Sequence, residues 1–263
     1  MMSSHTRIHD ALTRVQTEQD SVDAKRDAID RFINRVEDCS PVPNPAPATG
    51  ATAAVGPVSQ RSQGTTNQCG VVRQAFVETI QPHSLDDVDH QESLHETIRA
   101  ELSESIAVAL APTTKATFSP ELKQVVLTKS HVRRAAAENL RRALGREASE
   151  LVDARDIVDD ITEWIATADE TPLTQLGFEE LRARHETLAR YRSQCAEIVG
   201  RRQEFLDGAT SHGETIGVSH SKLVEYAYQD FRVDRPVLAT ITRLDETCEE
   251  CQRIVRQHLV RRV

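Results

Sequence analysis

The sequence predicts an all-α protein, and three observations support this prediction. Apolar residues recur at steps of three, four and seven along much of the chain, which is the spacing of one face of a helix. Aromatic residues make up 4% of the chain and charged residues 28%, a composition typical of helices with narrow apolar stripes. Finally, proline is absent between Pro120 and about Ala168, where Gly145 is the only glycine. One long helix is expected there.

The first predicted element is a coiled-coil-like amphipathic helix in residues 1–39. Its apolar residues repeat every seven positions and form a seam: Ile8, Val15, Val22, Ile29 and Val36. The positions four residues later are Leu12, Gln19, Arg26 and Ile33, so this seam is half polar and needs a covering partner. β-Branched residues at this spacing favour a two-stranded parallel coil, although a contact within the chain is equally compatible.

Residues 40–68 are predicted to form a disordered linker. They contain Pro41, Pro43, Pro45, Pro47 and Pro57 with Gly50, Gly56 and Gly64, among small residues. Prolines remove backbone donors, and small side chains bury too little apolar area to offset the entropy lost on ordering. The predicted organisation is therefore an N-terminal helix, a linker, and a C-terminal helical bundle in residues 69–263.

Several helices are predicted within this bundle. They cover Val71–Ile80, about 89–111, Pro120 to about Ala168, Leu181–Phe205, Ser221–Phe231, and a last helix that begins at Pro236. Residues 112–119 form a short connection, which favours antiparallel neighbours. Because residues 89–111 are acidic and the first half of the long helix is basic, these two helices are predicted to pack together.

Two stretches of the chain carry a resemblance to a known family. They are YAYQDFRVDRPVLATITRLDETCEECQRIVRQHLVRRV, from Tyr226 to Val263, and LGFEELRARHETLARYRSQC, from Leu176 to Cys195. Both resemble a haloarchaeal family of uncharacterised helical proteins, a domain of unknown function. The resemblance implies a cytoplasmic helical protein of salt-loving archaea. It assigns no functional residue.

Charge and cysteine content limit the partners and the compartment. The net charge of −9 disfavours unspecific binding to nucleic acid or anionic membranes, which attract basic surfaces. No window approaches the 18 or so apolar residues of a membrane span. Five cysteines make an odd count, and the polar start lacks the apolar run of a signal peptide. These features predict a reducing cytoplasm.

The sequence Cys248-Glu249-Glu250-Cys251 has the spacing of metal and redox pairs. Zinc needs four ligands, so Cys195, His185 or His258 would have to complete the set. A thioredoxin-like site would need a βαβ context that an all-α protein lacks. Both cysteines also fall on the stripe Val237, Ile241, Leu244, Cys248, Cys251 and Val255 of the last helix. We therefore predict that they are buried packing residues.

Other candidate ligands have weaker patterns. Asp86, Asp87, Asp89, His90, Glu92 and His95 match no metal signature, and acidic residues are common at helix starts. His5 and His9 lie one helical turn apart, near the terminus. The motifs GxSxG, GxxxxGK[ST] and GxGxxG do not occur. No catalytic residue, metal ligand or cofactor is assigned, and the protein is predicted not to be an enzyme.

One basic run suggests a further function. It contains Lys123, Lys129, Arg133, Arg134, Arg141, Arg142 and Arg146, and only Glu138 opposes it. It would suit nucleic acid, or it could be neutralised by acidic segments of the same chain. The leading hypothesis is a non-enzymatic interaction or scaffold protein that binds a protein partner or itself through helical seams. The alternatives are a DNA-associated regulator using the basic run, or a metal or redox sensor acting through Cys248 and Cys251.

Overall fold

The computed structural model describes residues 7–42, 67–84, 93–114, 116–208 and 220–262. These residues form helices and no strand, which confirms the all-α prediction. The helices are α1 (Arg7–Asp38), α2 (Gln68–Thr79), α3 (Leu94–Glu101), α4 (Glu104–Leu110), α5 (Pro120–Asp169), α6 (Phe178–Gly208), α7 (His220–Ala227) and α8 (Pro236–Val260). Short 3₁₀ turns occur at Gln81–His83 and Leu173–Gln175. Among the described helices, none combines the length and apolarity that a membrane crossing requires.

Most predicted helices are found, with two differences in extent. The predicted helix at 89–111 is wrong as a continuous element, because α3 and α4 are separate. Ser103 has extended backbone, and its side chain accepts a hydrogen bond from the backbone N–H of Ile106, which starts a new helix. The helix predicted to run to Phe231 ends at Ala227 instead. The predicted linker lies largely outside the described residues.

The chain divides into two compact units. Unit 1 comprises residues 1–20 and 139–263, and unit 2 comprises residues 21–138. These boundaries differ from the division predicted at residues 39 and 68, because α1 contributes residues to both units. The seven-residue seam of α1 is buried by the same chain: Ile8, Val15, Val22, Ile29 and Val36 are each at most 8% exposed. Of the two arrangements that the seam allowed, the structure has the contact within the chain.

Unit 2 is built on an apolar core that several short helices share. Its members include Ile29, Phe32, Val36, Val72, Phe76, Ile98, Ile106, Leu110, Phe118 and Val126. The rings of Phe32 in α1 and Phe76 in α2 meet edge to face, with centroids 5.7 Å apart. Both rings are fully buried. Aromatic pairs of this geometry stabilise a core beyond the area they bury.

A buried carboxylate ties three helices of unit 2 together. Glu101, at the end of α3, is 8% exposed. It accepts a hydrogen bond from Lys25 of α1 at 2.7 Å and one from Arg133 of α5, also at 2.7 Å. Burial alone would raise the pKa of Glu101, but these two bonds outweigh burial and hold the pKa below its ordinary value. The acidic α3 and the basic α5, which were predicted to pack together, are thus joined by the ion pair of Glu101 with Arg133.

Unit 2 is expected to lose stability in acid partly through Glu101. Since its pKa is lowered in the folded state, the stabilisation is complete above the ordinary value of 4.5 and is lost as the pH falls through the lower folded value. We expect Glu101→Gln to lower the free energy of unfolding of unit 2 by about 1 to 3 kcal/mol at pH 7. The same substitution should weaken the fall of this free energy between pH 7 and pH 3. Urea unfolding followed by circular dichroism between pH 3 and 7 measures both. Glu104→Gln, at a 63% exposed side chain, is the control. The same fall of the free energy of unfolding with pH in Glu101→Gln and in wild type would contradict the prediction.

Unit 1 is built mainly on the pairing of α6 with α8. The apolar faces of these helices are buried, and α5, α7 and the start of α1 contribute further core residues. The buried side chains include Ile8, Val15, Leu144, Leu151, Val158, Ile161, Leu181, Leu188, Ile198, Leu223, Val224, Val237, Ile241 and Val255. This unit contains the cysteines and cavities that follow.

Candidate functional site

Three cysteines lie on the paired helices α6 and α8 of unit 1. Cys195 and Cys248 are buried, at 1% and 0% exposure, and Cys251 is half-buried. The predicted burial of Cys248 is confirmed, whereas Cys251 was predicted to be buried and is only half-buried. In the described part of the chain, no three side chains of the His, Cys, Asp and Glu types are placed to hold a metal ion together.

Arg192 of α6 bridges to α8 beside these cysteines. Its Nε donates to Asp245 at 3.0 Å, and its guanidinium also lies 3.6 Å from Glu249. Gln252 accepts from Arg192 at 3.4 Å and donates to the backbone carbonyl of His185 at 3.3 Å. Gln252 is only 6% exposed, although the apolar pattern of α8 gave no sign that it would be buried. These hydrogen bonds of Arg192 and Gln252 join α6 to α8 at defined positions along both helices.

The environment of the thiols keeps them protonated. Burial raises the pKa of Cys195 to about 11 and the pKa of Cys248 to about 12. The nearby Asp245 carboxylate reinforces both shifts. Burial also raises the pKa of Cys251. Because the thiolate is the form that attacks disulfides, these cysteines are poor nucleophiles in the folded protein.

Thiol labelling of the native protein is expected to separate these cysteines. At pH 8 iodoacetamide should modify Cys251 first, since it alone of the three is partly accessible, while Cys195 and Cys248 should react only after unfolding. Mass spectrometry of peptides measures each rate, and Cys251→Ser should leave only the slow reactions. Labelling of Cys248 as fast as that of Cys251 would show that α8 is not packed as described.

The basic run lies along α5, and several of its side chains have structural partners. Lys123 donates to the backbone carbonyls of Glu37 and Cys39, at 2.6 and 2.8 Å. A cation at the end of a helix is favoured by the helix dipole, so Lys123 supports the C-terminus of α1. Arg133 pairs with Glu101, and Arg134 lies 2.6 Å from Asp30 of α1. Carboxylates of the same chain thus pair with Arg133 and Arg134, and backbone carbonyls accept from Lys123.

The remaining candidate ligands are not assembled into one site in the described residues. Asp86, Asp87, Asp89, His90, Glu92 and His5 lie outside the described residues. His9 lies 3.6 Å from Asp159 of α5. His95 is in the first turn of α3, where Ser93 and Glu96 form a capping box. Glu96 is an acidic residue of this segment with a structural role at the helix start, and its hydrogen bonds to Ser93 lower its pKa.

A buried charge cluster in unit 1 has no counterpart in the predicted sites. Arg202 of α6 donates two hydrogen bonds to Glu147 of α5, at 2.8 and 2.7 Å, and the hydroxyl of Tyr228 donates to Glu147 at 2.6 Å. All three side chains are at most 3% exposed. Burial, with the adjacent carboxylate, raises the pKa of Tyr228. Burial alone would lower the pKa of Arg202, but Glu147 outweighs it and raises the value.

An apolar pocket of about 360 Å³ opens beside Cys251, and we call it the α8 pocket. It lies between the end of α5, the turn after it, α6 and α8. Its lining includes Trp164, Ile165, Leu173, Leu188, Cys251, Ile254 and Val255, with Asp169 and Arg184 as charged members. Arg184 already donates to the backbone carbonyl of Thr171 at 3.3 Å. A cavity of this size and polarity suits a small apolar group.

Residues 6–252 match the family model described as a domain of unknown function, DUF7260. The chain belongs to this family. The match confirms the resemblance to a family of unknown function, and the haloarchaeal origin stays a prediction. No curated protein and no solved structure matched the chain in the corresponding comparisons.

The DUF7260 match covers residues of both units and most of the features above. The buried cluster of Glu147, Arg202 and Tyr228 lies within it, as do all the cysteines. The match ends at Gln252, within α8, so the last pocket residues, Ile254 and Val255, follow it. Membership in DUF7260 assigns no role to any of these residues.

Proposed function

We propose that this DUF7260 protein is a non-enzymatic helical interaction protein that binds a protein partner at the α8 pocket. The supporting observation is the pocket itself, which leaves apolar side chains open to solvent at the surface of unit 1. Ile254 is 37% exposed at its edge. An apolar side chain inserted from a partner helix would remove this surface from water, at about 25 cal/mol per Å².

The size of the pocket supports an inserted side chain. A volume of about 360 Å³ accommodates one or two large apolar side chains, and such anchors contribute much of the affinity at protein interfaces. Asp169 and Arg184 provide charges of both signs, as in the polar rim of an interface. We propose binding at the α8 pocket in place of the predicted binding through the α1 seam, because the seam is covered within the chain.

The use of buried charge supports a non-enzymatic function. Catalytic groups commonly have perturbed pKa values and lie in a cleft that a substrate can reach. Here Glu101, Glu147 and Arg202 are the buried charged side chains of the described residues, and each is held in short bonds to opposite charges. These groups stabilise the units, and we propose no acid or base catalysis by them.

The two alternative functions receive less support. A DNA-associated regulator would need basic groups directed to phosphates, but Lys123, Arg133 and Arg134 are engaged within the chain. A redox sensor would need accessible thiolates, but burial raises the pKa of Cys248 and Cys251. A metal sensor would need converging ligands, and no three candidate ligand side chains of the described residues are placed to hold an ion. We retain the cytoplasm of a salt-loving archaeon as the proposed setting, on the sequence resemblance.

Site-dependent capture tests the proposal. Tagged protein is used to retain partners from the native host at native salt, in three forms: wild type, Ile254→Asp, and Val260→Asp. Val260, 71% exposed near the end of the same helix, lies outside the pocket lining and is the matched control. We expect a protein that wild type and Val260→Asp retain and Ile254→Asp loses. Identical retention by all three forms would contradict a binding site at the α8 pocket.

Self-association is distinguished by sedimentation of the same three proteins. If the partner is a second copy of the chain, wild type and Val260→Asp should be dimeric and Ile254→Asp monomeric. If the partner is a different protein, each of the three forms should be monomeric by itself. Wild type and Val260→Asp should then form a complex with the added partner, and Ile254→Asp should not. The folded state of each form is checked by thermal unfolding before either experiment.

A further inference from the structure

Unit 1 contains a second cavity that shares the lining residue Trp164 with the α8 pocket, and we call it the Trp164 cleft. It has a volume of about 400 Å³ and lies between α5 and α6. It is lined by Ile157, Asp160, Glu163, Trp164, Thr167, Tyr191 and Gln194. We propose that the Trp164 cleft binds an organic cation that carries a methylated ammonium group.

Two aromatic walls support this inference. The rings of Trp164 and Tyr191 have centroids 5.4 Å apart and planes inclined at 68°. Adjoining aromatic rings attract a cation through the negative charge of their faces, and methylated ammonium groups are bound by such walls because they are large and weakly hydrated. The guanidinium carbon of Arg190 lies 5.5 Å from the centroid of the Tyr191 ring, so an organic cation has to share this ring with Arg190 or displace that side chain.

The charge of the cleft selects the same class of ligand. Its two charged lining residues, Asp160 and Glu163, are both acidic, and they lie three residues apart on one face of α5. Both are exposed, so they can attract a cation without a large desolvation cost. The α8 pocket has a different lining, with a mixed pair of charges, and suits an apolar group instead. Trp164 lies in the lining of both cavities.

Choline is the probe, and Trp164 is the reporter, because it is the only tryptophan in the chain. Choline chloride is titrated into the full-length protein at constant ionic strength, with sodium chloride replaced stepwise. We expect a saturable change in tryptophan fluorescence at millimolar choline. The neutral isostere 3,3-dimethyl-1-butanol should bind at least about fivefold more weakly, because only the cation gains the attraction of the rings and carboxylates.

Variants identify the site. Asp160→Asn combined with Glu163→Gln should weaken choline binding by about fivefold, whereas Asp153→Asn, at an exposed position outside the cleft on the same helix, should leave it unchanged. Trp164→Leu removes the optical reporter, so broadening of the choline methyl proton signal is measured for this variant, and it should be lost. Thermal unfolding verifies that each variant is folded.

Three results would overturn the inference. They are a fluorescence change no larger than that with sodium chloride, equal binding of 3,3-dimethyl-1-butanol, or equal weakening by Asp153→Asn and by the double substitution. A short peptide containing trimethyl-lysine distinguishes the source of the cation. Binding at least about tenfold tighter than that of choline indicates a methylated side chain of a protein, and similar binding indicates a free small cation.

Discussion

Arg202→Ala is expected to lower the free energy of unfolding of unit 1 by about 3 to 5 kcal/mol. The substitution leaves Glu147 buried at 0% exposure with only the hydroxyl of Tyr228 as a donor. An uncompensated buried charge costs far more than the loss of an exposed ion pair. Arg201→Ala is the matched control, because Arg201 is the exposed neighbour on the same helix, and it should change the free energy by about 0.5 kcal/mol or less.

Tryptophan fluorescence is the suitable measurement, because Trp164 and all three tyrosines, Tyr191, Tyr226 and Tyr228, belong to unit 1. Urea unfolding of Arg202→Ala should shift to lower denaturant. Replacing the pair together, by Glu147→Leu with Arg202→Met, should restore much of the loss, since no charge then remains buried. Equal stability of Arg202→Ala and Arg201→Ala would show that the cluster is open to water in solution.

Phe76→Ala is expected to lower the free energy of unfolding of unit 2 by about 3 to 5 kcal/mol. Phe76 is fully buried and meets the ring of Phe32 edge to face, so its removal leaves a cavity between α1 and α2. Val71→Ala on the same helix is the control, because Val71 is 42% exposed. It should cost well under half as much.

Unit 2 contains neither tryptophan nor tyrosine, so its unfolding has to be followed by helical circular dichroism or hydrogen exchange. In Phe76→Ala we expect faster exchange of the backbone amides of α2 and α4 than in Val71→Ala. Amides of α2 with the same protection in both variants would contradict the description of this core.

The helices could be predicted from the sequence because their boundaries have local signals. Pro120 follows Ser119, whose hydroxyl accepts from the backbone N–H of Leu122, and the helix then runs to Asp169 as expected. The break between α3 and α4 also had a local signal, at Ser103, but the continuing apolar stripe concealed it. Periodicity alone does not distinguish one helix from two that share a face.

The partners of the helices could not be predicted in the same way. The seam of α1 defines a face that must be covered, but the same spacing serves a second chain or a helix distant in the sequence. Charge pairing was partly visible, since an acidic and a basic segment were expected to meet. Which side chains meet depends on packing, and the charge pattern alone did not single out Glu101 as the partner of Lys25 and Arg133.

The candidate sites were the hardest to predict because they combine residues of unrelated segments. Cys248 and Cys251 stood out by spacing, yet burial makes Cys248 a packing residue. Glu147, Arg202 and Tyr228 have no sequence signal, because an isolated charge on a charged helix is usually exposed. Trp164 and Tyr191 likewise come together only when α5 and α6 pack.

The different burial of the ion pairs gives them different responses to salt. At 1 M salt the screening length is about 3 Å, so exposed pairs such as Arg182 with Glu186, both at least 60% exposed, are weakened. The side chains of Glu147 and Arg202 are almost fully buried, so the attraction between them is screened much less. As salt is raised, the buried pair therefore supplies a growing share of the electrostatic stabilisation of unit 1, at the place where it joins α5 to α6.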